Sequence, residues 1–299
     1  MSEKQYPYPP GEGVVKWVST KWLNDHLYDE HLRIIDTQPN IHDYIQEHIP
    51  GAVYMNEGLL RVSFRGQPAF FAPAESIQAV FRRLSLEASE PVVVYTGRGI
   101  FKGWGDGLEQ PMVTYSFARF GCNHVYLLDG GIDKWKMEKR TLTKEFPQTE
   151  DSDFTVNTRC DYWVDYKEFL QLKDRSDTMV FDARPQSFYE GQGPWSKPGH
   201  IPGAYNLPWP SLMDDTNKTL LKSDDEIHEI LKKKDVTPKK MILVYCGTGR
   251  EATNEFLFLK WYMKFPRVKI YEGSFTEWVS YPQNPTVTGK FPSEVKAMC

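Results

Sequence analysis

The chain has 299 residues, 40% of them hydrophobic and 14% aromatic, with a formal net charge of -4 and four cysteines. That length accommodates two ordinary domains with real cores. The charge leaves no basic footprint for nucleic acid or for a membrane surface, no apolar run reaches a transmembrane length, and four cysteines in so long a chain do not make a disulfide framework.

Met1 to Gly13 is a polar, proline-rich lead-in without an apolar signal core. With the sparse cysteines it reads as a protein of a reducing compartment, most simply the cytoplasm, with an organelle still open. Val14 to Val18 is a short strand, and Ser19 caps a helix from Thr20 to Leu27. Leu32 to Asp36 is a buried strand, and His48-Ile49-Pro50-Gly51-Ala52 is a turn leading into another. A helix over Ser76 to Leu84, the apolar strand Pro91 to Tyr95, a helix over Met112 to Phe120 and the strand Val125 to Asp129 follow. Strands alternating with helices predict an α/β fold with a mainly parallel sheet covered on both faces.

The pattern then recurs. Val180-Phe181-Asp182 matches Ile34-Ile35-Asp36, His200 to Ala204 matches His48 to Ala52, and Leu243-Val244-Tyr245-Cys246 matches Val93-Val94-Tyr95-Thr96. Glu272-Gly273 before Trp278 matches Asp129-Gly130 before Trp135. The four spacings, Asp36 to Asp182, His48 to His200, Thr96 to Cys246 and Asp129 to Glu272, are 146, 152, 150 and 143 residues. Spacings this even describe a duplicated domain. The reading is a lead-in over 1–13, a first domain over 14–143, a polar linker over 144–159 and a second domain over 160–299.

Met241 to Tyr245 is a buried strand that ends on Cys246, and Gly247-Thr248-Gly249-Arg250-Glu251-Ala252 leads from it into a helix. Loop amides turned inward favour thiolate over thiol, so Cys246 is expected to be a nucleophile of lowered pKa. Gly247 and Gly249 allow backbone conformations closed to other residues. Thr248 offers a hydroxyl, and Arg250 suits an anionic donor. The Glu251 carboxylate opposes the thiolate unless it faces away or pairs. A cysteine phosphatase or arsenate reductase is the rival reading of such a loop, but a phosphatase places an arginine six positions after its cysteine, and here that residue is Ala252.

Strand, Cys246-Gly247-Thr248-Gly249, helix, and then Tyr271 to Trp278 resemble the active half of a rhodanese-type sulfurtransferase, and the resemblance runs from about Val15 to Trp278. It implies two tandem rhodanese-like domains. The first is inactive, because Thr96 stands at the cysteine position. It implies a Cys246 persulfide as covalent intermediate, with no metal and no other cofactor. The donor would be a small thiosulfate-like anion and the acceptor cyanide, a thiol or a protein thiol. Asp182 and Arg184 match the family's Asp-x-Arg signature and are expected to support the loops beneath the site, with Gln38 in the arginine's place in the first half.

Gly-Thr-Gly after the cysteine looks more like the 3-mercaptopyruvate sulfurtransferases. Yet Phe188 stands where that subfamily carries a carboxylate-binding arginine, and its histidine partner is not evident near Phe70 and Phe71. The alternatives are therefore a 3-mercaptopyruvate sulfurtransferase or a persulfide carrier with little small-molecule turnover. The glycine-rich stretch Thr96 to Gly107 is expected to be an extended loop, with Arg98, Lys102 and Trp104 as a flap over the cleft. His48 and His200 are expected to bond locally, and Cys122, Cys160 and Cys299 carry no motif.

Overall fold

The computed structural model describes residues 4–101, 103 and 105–293. The repeated apolar runs build the same sheet twice. One compact unit comprises Met1–Val62, Phe71–Arg159 and Met213–Leu221; the other comprises Ser63–Phe70, Cys160–Leu212 and Lys222–Cys299.

The first unit runs β1 (Val15–Val18), α1 (Thr20–Asp25), β2 (Arg33–Asp36), α2 (Ile41–Gln46) and β3 (Ala52–Tyr54). A two-stranded sheet follows in the chain, β4 (Arg61–Phe64) and β5 (Gln67–Phe71), whose stretch Ser63–Phe70 belongs to the other unit, and the first unit then resumes with α3 (Ala74–Arg83), β6 (Pro91–Tyr95), α4 (Glu109–Phe120), β7 (His124–Leu128) and α5 (Gly131–Met137). The main sheet has the order β1-β7-β6-β2-β3 with every pairing parallel. Val92 to Tyr95 are buried, as a central parallel strand requires.

Helix ends follow local chemistry. The Ser19 hydroxyl accepts from the Trp22 amide and starts α1 as expected, although the helix stops at Asp25, two residues before Leu27. α4 begins at Glu109, three residues before Met112. Pro111 is accommodated in its first turn, where a missing N–H costs no intrahelical bond. The β4–β5 turn, which the alternation did not reveal, places both Arg65 and Gly66 at positive φ, the geometry of a two-residue hairpin turn.

The second unit runs β8 (Trp163–Val164), α6 (Tyr166–Leu172), β9 (Thr178–Asp182), β10 (Ala204–Asn206), α7 (Asp224–Lys233) and β11 (Met241–Tyr245). It closes with α8 (Glu251–Leu257), a π turn over Phe258–Tyr262, β12 (Val268–Tyr271) and α9 (Ser274–Ser280). Its order, β10-β9-β11-β12-β8, repeats the first sheet strand for strand, again all parallel. The helix expected after the Cys246 loop is thus an α-helix that widens into one π turn.

The cores repeat as well. Ile49, Ala52, Val93, Tyr95 and Trp135 pack together in the first unit, and Ile201, Ala204, Leu243, Tyr245 and Trp278 in the second. His48 touches the carbonyls of Tyr44 (2.7 Å) and Glu145 (3.1 Å); His200 touches those of Tyr189 (2.8 Å) and Phe291 (3.0 Å). Both histidines therefore tie turns to neighbouring chain, as their recurrence suggested.

In the glycine-rich loop, Asp43 accepts the amides of Ile100 and Phe101, each at 2.7 Å, and Asp133 accepts that of Arg98 at 2.8 Å. Lys102 and Trp104, expected in a flap, lie outside the described residues, as does Cys299. Cys122 is buried and Cys160 exposed. Among the described residues no helix is long and apolar enough to cross a membrane, and no group of three or more His, Cys, Asp or Glu side chains is arranged to hold a metal ion.

Candidate active site

The central strand β11 delivers Cys246 to the carboxyl end of the second sheet, and five residues separate the strand from α8. That end is where open parallel sheets place their ligand crevices. Cys246 is fully buried. The Gly249 amide donates to its sulfur at 3.0 Å, and the backbone amides of Thr248 and Ala252 act to lower the thiol's pKa. The loop therefore turns its N–H groups inward, as anion-binding nests do.

Each loop glycine has its own reason. Gly249 has φ +84°, and a Cβ there would sit 2.8 Å from the Glu272 carbonyl oxygen. Gly247 has ordinary φ; its constraint is space, because a Cβ would meet the Trp195 ring at 2.6 Å. Thr248, Gly249, Arg250 and Glu251 are half-buried, while Gly247 and Ala252 are buried.

The turn between β12 and α9 holds the loop from the other side. Phe275 and Thr276 amides donate to the carbonyls of Cys246 and Gly247, both at 3.0 Å. The Ser274 hydroxyl accepts the Cys246 amide at 3.2 Å and lies 4.0 Å from the sulfur. Ser274 itself has φ +54°, a strained position for a residue with a side chain. The Trp195 indole donates to Thr276 Oγ1, which donates to the Gly247 carbonyl, both at 2.8 Å.

Beneath the loop lies the pair expected from Asp-x-Arg. Arg184 Nη2 is 2.6 Å from Asp182 Oδ2, with both side chains fully buried, and it also donates to the Gly199 carbonyl at 2.8 Å. The Arg184 guanidinium lies 3.9 Å from the Phe275 ring centroid and 4.8 Å from that of Trp195. Burial alone would favour neutral arginine, but Asp182 outweighs it and holds the guanidinium charged. Its Nη1 is buried without a hydrogen-bond partner.

One expectation is reversed. The Cys246 thiol is raised well above its ordinary pKa: burial contributes most, then the charge and the hydrogen bond of Glu251, which together outweigh the loop amides. The sequence exposes the amides and the acid, but not the depth of the sulfur or the direction of the Glu251 side chain.

Trp195, Ser274 and Thr276 escaped the sequence reading of the site. They come from segments far from Cys246 in the chain, and only the repeated Gly-x-x-x-x-Trp after β12 hinted that this turn matters. Phe188 packs edge-on against Trp195 at 5.7 Å, so apolar surface occupies the place considered for a carboxylate-binding arginine.

In the first unit Thr96 stands at the equivalent strand end, and its hydroxyl donates to the Thr37 carbonyl at 3.0 Å. Gln38 takes the arginine's place and donates to Asp36 at 2.9 Å.

A rhodanese-like domain model matches residues 19–138 and 165–281. A putative thiosulfate sulfurtransferase from Synechococcus elongatus is 34% identical over 93% of this chain and 87% of its own length. The 3-mercaptopyruvate sulfurtransferase of Escherichia coli K12 is 27% identical over 88% of this chain and 94% of its own. A crystal structure of an Escherichia coli 3-mercaptopyruvate sulfotransferase superimposes with a TM-score of 0.74 at 26% identity, covering 87% of this chain and 98% of that one. The chain therefore belongs to the rhodanese-like sulfurtransferases, with the domain present twice and the cysteine-bearing loop only in the second copy.

Proposed function

We propose that Cys246 carries the transferred sulfur as a persulfide. Its sulfur attacks the outer sulfur of a small anionic donor of the thiosulfate type, and cyanide, a small thiol or a protein thiol then removes that atom. The observation that carries this reading is the convergence of loop amides on Sγ, led by the 3.0 Å contact from Gly249. An anionic persulfide draws on the same donors. Gly247 to Ala252 form the substrate-binding loop, and Asp182 and Arg184 hold the floor beneath it. The chemistry calls for no metal and no organic cofactor. A thiol nucleophile suits a reducing compartment such as the cytoplasm.

A second donor, 3-mercaptopyruvate, is favoured by the Gly-Thr-Gly loop and disfavoured by Phe188. A sulfur carrier protein from Thermus thermophilus is 28% identical over 91% of this chain and 96% of its own, so a carrier role is the further alternative. Intact mass after incubation with each donor separates these readings. A gain of one sulfur on Cys246, lost on adding cyanide and absent in Cys246→Ser, is the expected result. Unchanged thiocyanate formation by Cys246→Ser would overturn the assignment, and loading without turnover would favour the carrier.

A further inference from the structure

Positive charge gathers at one place in the second unit, away from Cys246. Residues 232–240 hold five lysines, Lys232, Lys233, Lys234, Lys239 and Lys240, and one acid, Asp235, in a chain whose net charge is -4. They run from the end of α7 to the start of β11, the strand whose other end leads to Cys246. A strand of five residues, about 16 Å, therefore lies between the lysines and the nucleophile.

Lys232 and Lys233 fall in the last turn of α7, where cations complement the helix dipole. That role does not reach Lys234, Lys239 and Lys240. Among the described residues Lys232 meets Glu229 at 3.8 Å, while Lys233, Lys234, Lys239 and Lys240 have no ion-pair partner. Lys240 is half-buried and the other four lysines are exposed.

The same segment borders an apolar groove of about 650 Å³. Leu231 and Phe265 are buried at its base, Val236 and Met263 are half-buried beside them, and Lys232 and Lys240 stand among its lining residues. Backbone hydrogen bonds fix both sides. The Val236 amide donates to the Leu231 carbonyl at 3.0 Å, and the Phe265 amide to the Leu259 carbonyl at 2.9 Å. Every one of these residues belongs to the second unit.

We propose that this groove docks an acidic protein segment, which seats a large apolar side chain on Leu231, Met263 and Phe265 while its carboxylates meet the lysines. The proposal is independent of the sulfur-transfer reading. Unpaired lysines this close repel one another, and an acidic partner relieves that repulsion and is steered by it. The recess supplies the apolar burial that charge alone lacks. The same recess disfavours the other polyanions. Single-stranded nucleic acid stacks its bases on exposed aromatic faces, and the aromatic side chain here, Phe265, is buried. A membrane surface takes up apolar side chains that project outward, whereas these are sunk below the lysines.

The test is fluorescence anisotropy of the full chain with a short labelled peptide of glutamates carrying leucine and phenylalanine at i, i+4 spacing. The comparison probes are the same peptide with serine at both apolar positions, labelled oligouridylate, and vesicles of phosphatidylcholine and phosphatidylserine. The apolar peptide is expected to bind about tenfold more tightly than the serine peptide, and more weakly as salt is raised. Lys233→Glu combined with Lys234→Glu should weaken it about tenfold. Met263→Ser should weaken the apolar peptide and leave the serine peptide unchanged. Cys246 should load sulfur from thiosulfate in these variants as it does in wild type. Equal affinity for the two peptides would overturn the proposal, because the groove would then be idle. So would an affinity that survives the charge reversal, tighter binding of oligouridylate or of the vesicles than of the peptide, or no binding of the peptide at all. The charge reversal sits at exposed positions, so it keeps the test decisive even where Met263→Ser does not fold.

Discussion

Arg184→Gln would give the second unit the carboxylate partner that the first unit already has in Gln38. Asp36 is fully buried, accepts from the Gln38 amide (2.8 Å), Gln38 Nε2 (2.9 Å) and the Tyr95 hydroxyl (2.6 Å), and is raised by burial to about 6. The surroundings correspond closely: Gln38 Nε2 reaches the Glu47 carbonyl at 3.4 Å where Arg184 Nη2 reaches that of Gly199 at 2.8 Å. In the variant, Asp182 should therefore titrate as Asp36 does. The gap between an ordinary 3.8 and about 6, at about 1.4 kcal/mol per unit, is about 3 kcal/mol. A carboxyl raised on folding contributes stability that is complete below 3.8 and lost as pH rises through about 6. The deficit of Arg184→Gln relative to wild type is thus widest at neutral pH and narrows by about 3 kcal/mol in acid. A further loss of about 1–2 kcal/mol from the guanidinium's contacts with Phe275 and Trp195 does not depend on pH. Urea unfolding of both proteins, followed by tryptophan fluorescence across that pH interval, reads the difference directly, and Asp36 cancels because both proteins contain it. A deficit that stays constant, or that widens in acid, would refute the reasoning.

Three other substitutions test separate parts of the structure. Gly249→Ala forces a side chain onto a φ of +84° and a Cβ to 2.8 Å from the Glu272 carbonyl, so it should destabilise the loop by about 1–3 kcal/mol and slow persulfide formation; loading at the wild-type rate would count against the observed turn. Glu255→Gln replaces a carboxyl that burial already keeps neutral. The sign follows from a folded pKa raised above the ordinary 4.5: stability present below that value is lost as pH rises toward the raised one. The variant should match wild type in acid and become more stable by up to about 1.4 kcal/mol per pH unit above it, and a stability difference that does not grow with pH would contradict this. Thr96→Cys should not create a second sulfur site, which intact mass would register as a gain of one sulfur and not two after treatment with donor.

The parts of the site that the sequence displayed are those built from contiguous residues. A strand ending on Cys246, glycines at Gly247 and Gly249, and Asp182 two positions before Arg184 are local patterns, and the structure brings them together at the end of one sheet. The duplication was legible for the same reason, since each strand carries its own apolar run. What was not legible depends on distant chain. Trp195 fixes Gly247 by filling the space a Cβ would need, and Ser274 and Thr276 hold the loop through side-chain oxygens. The sign of the Cys246 shift was misread because burial and the approach of Glu251 are tertiary quantities. Nothing local to Glu255 in the sequence shows that it lies fully buried on α8.

The two units, set side by side, separate what the fold requires from what sulfur chemistry requires. The Tyr95 hydroxyl accepts the Ile49 amide at 3.1 Å and Tyr245 accepts that of Ile201 at the same distance, so this frame is structural: it persists where there is no cysteine. The strand-to-helix loop is different. Thirteen residues lie between β6 and α4, against five between β11 and α8. In the long loop, amides of Arg98, Ile100 and Phe101 are taken by the carboxylates of Asp133 and Asp43. In the short one they converge on a sulfur. An amide already held by a carboxylate cannot also stabilise a persulfide, so placing a thiol at Thr96 would restore the nucleophile without restoring its cradle. The first copy therefore differs from the second in the path of its backbone as much as in the missing cysteine, and this is why Thr96→Cys alone should fail.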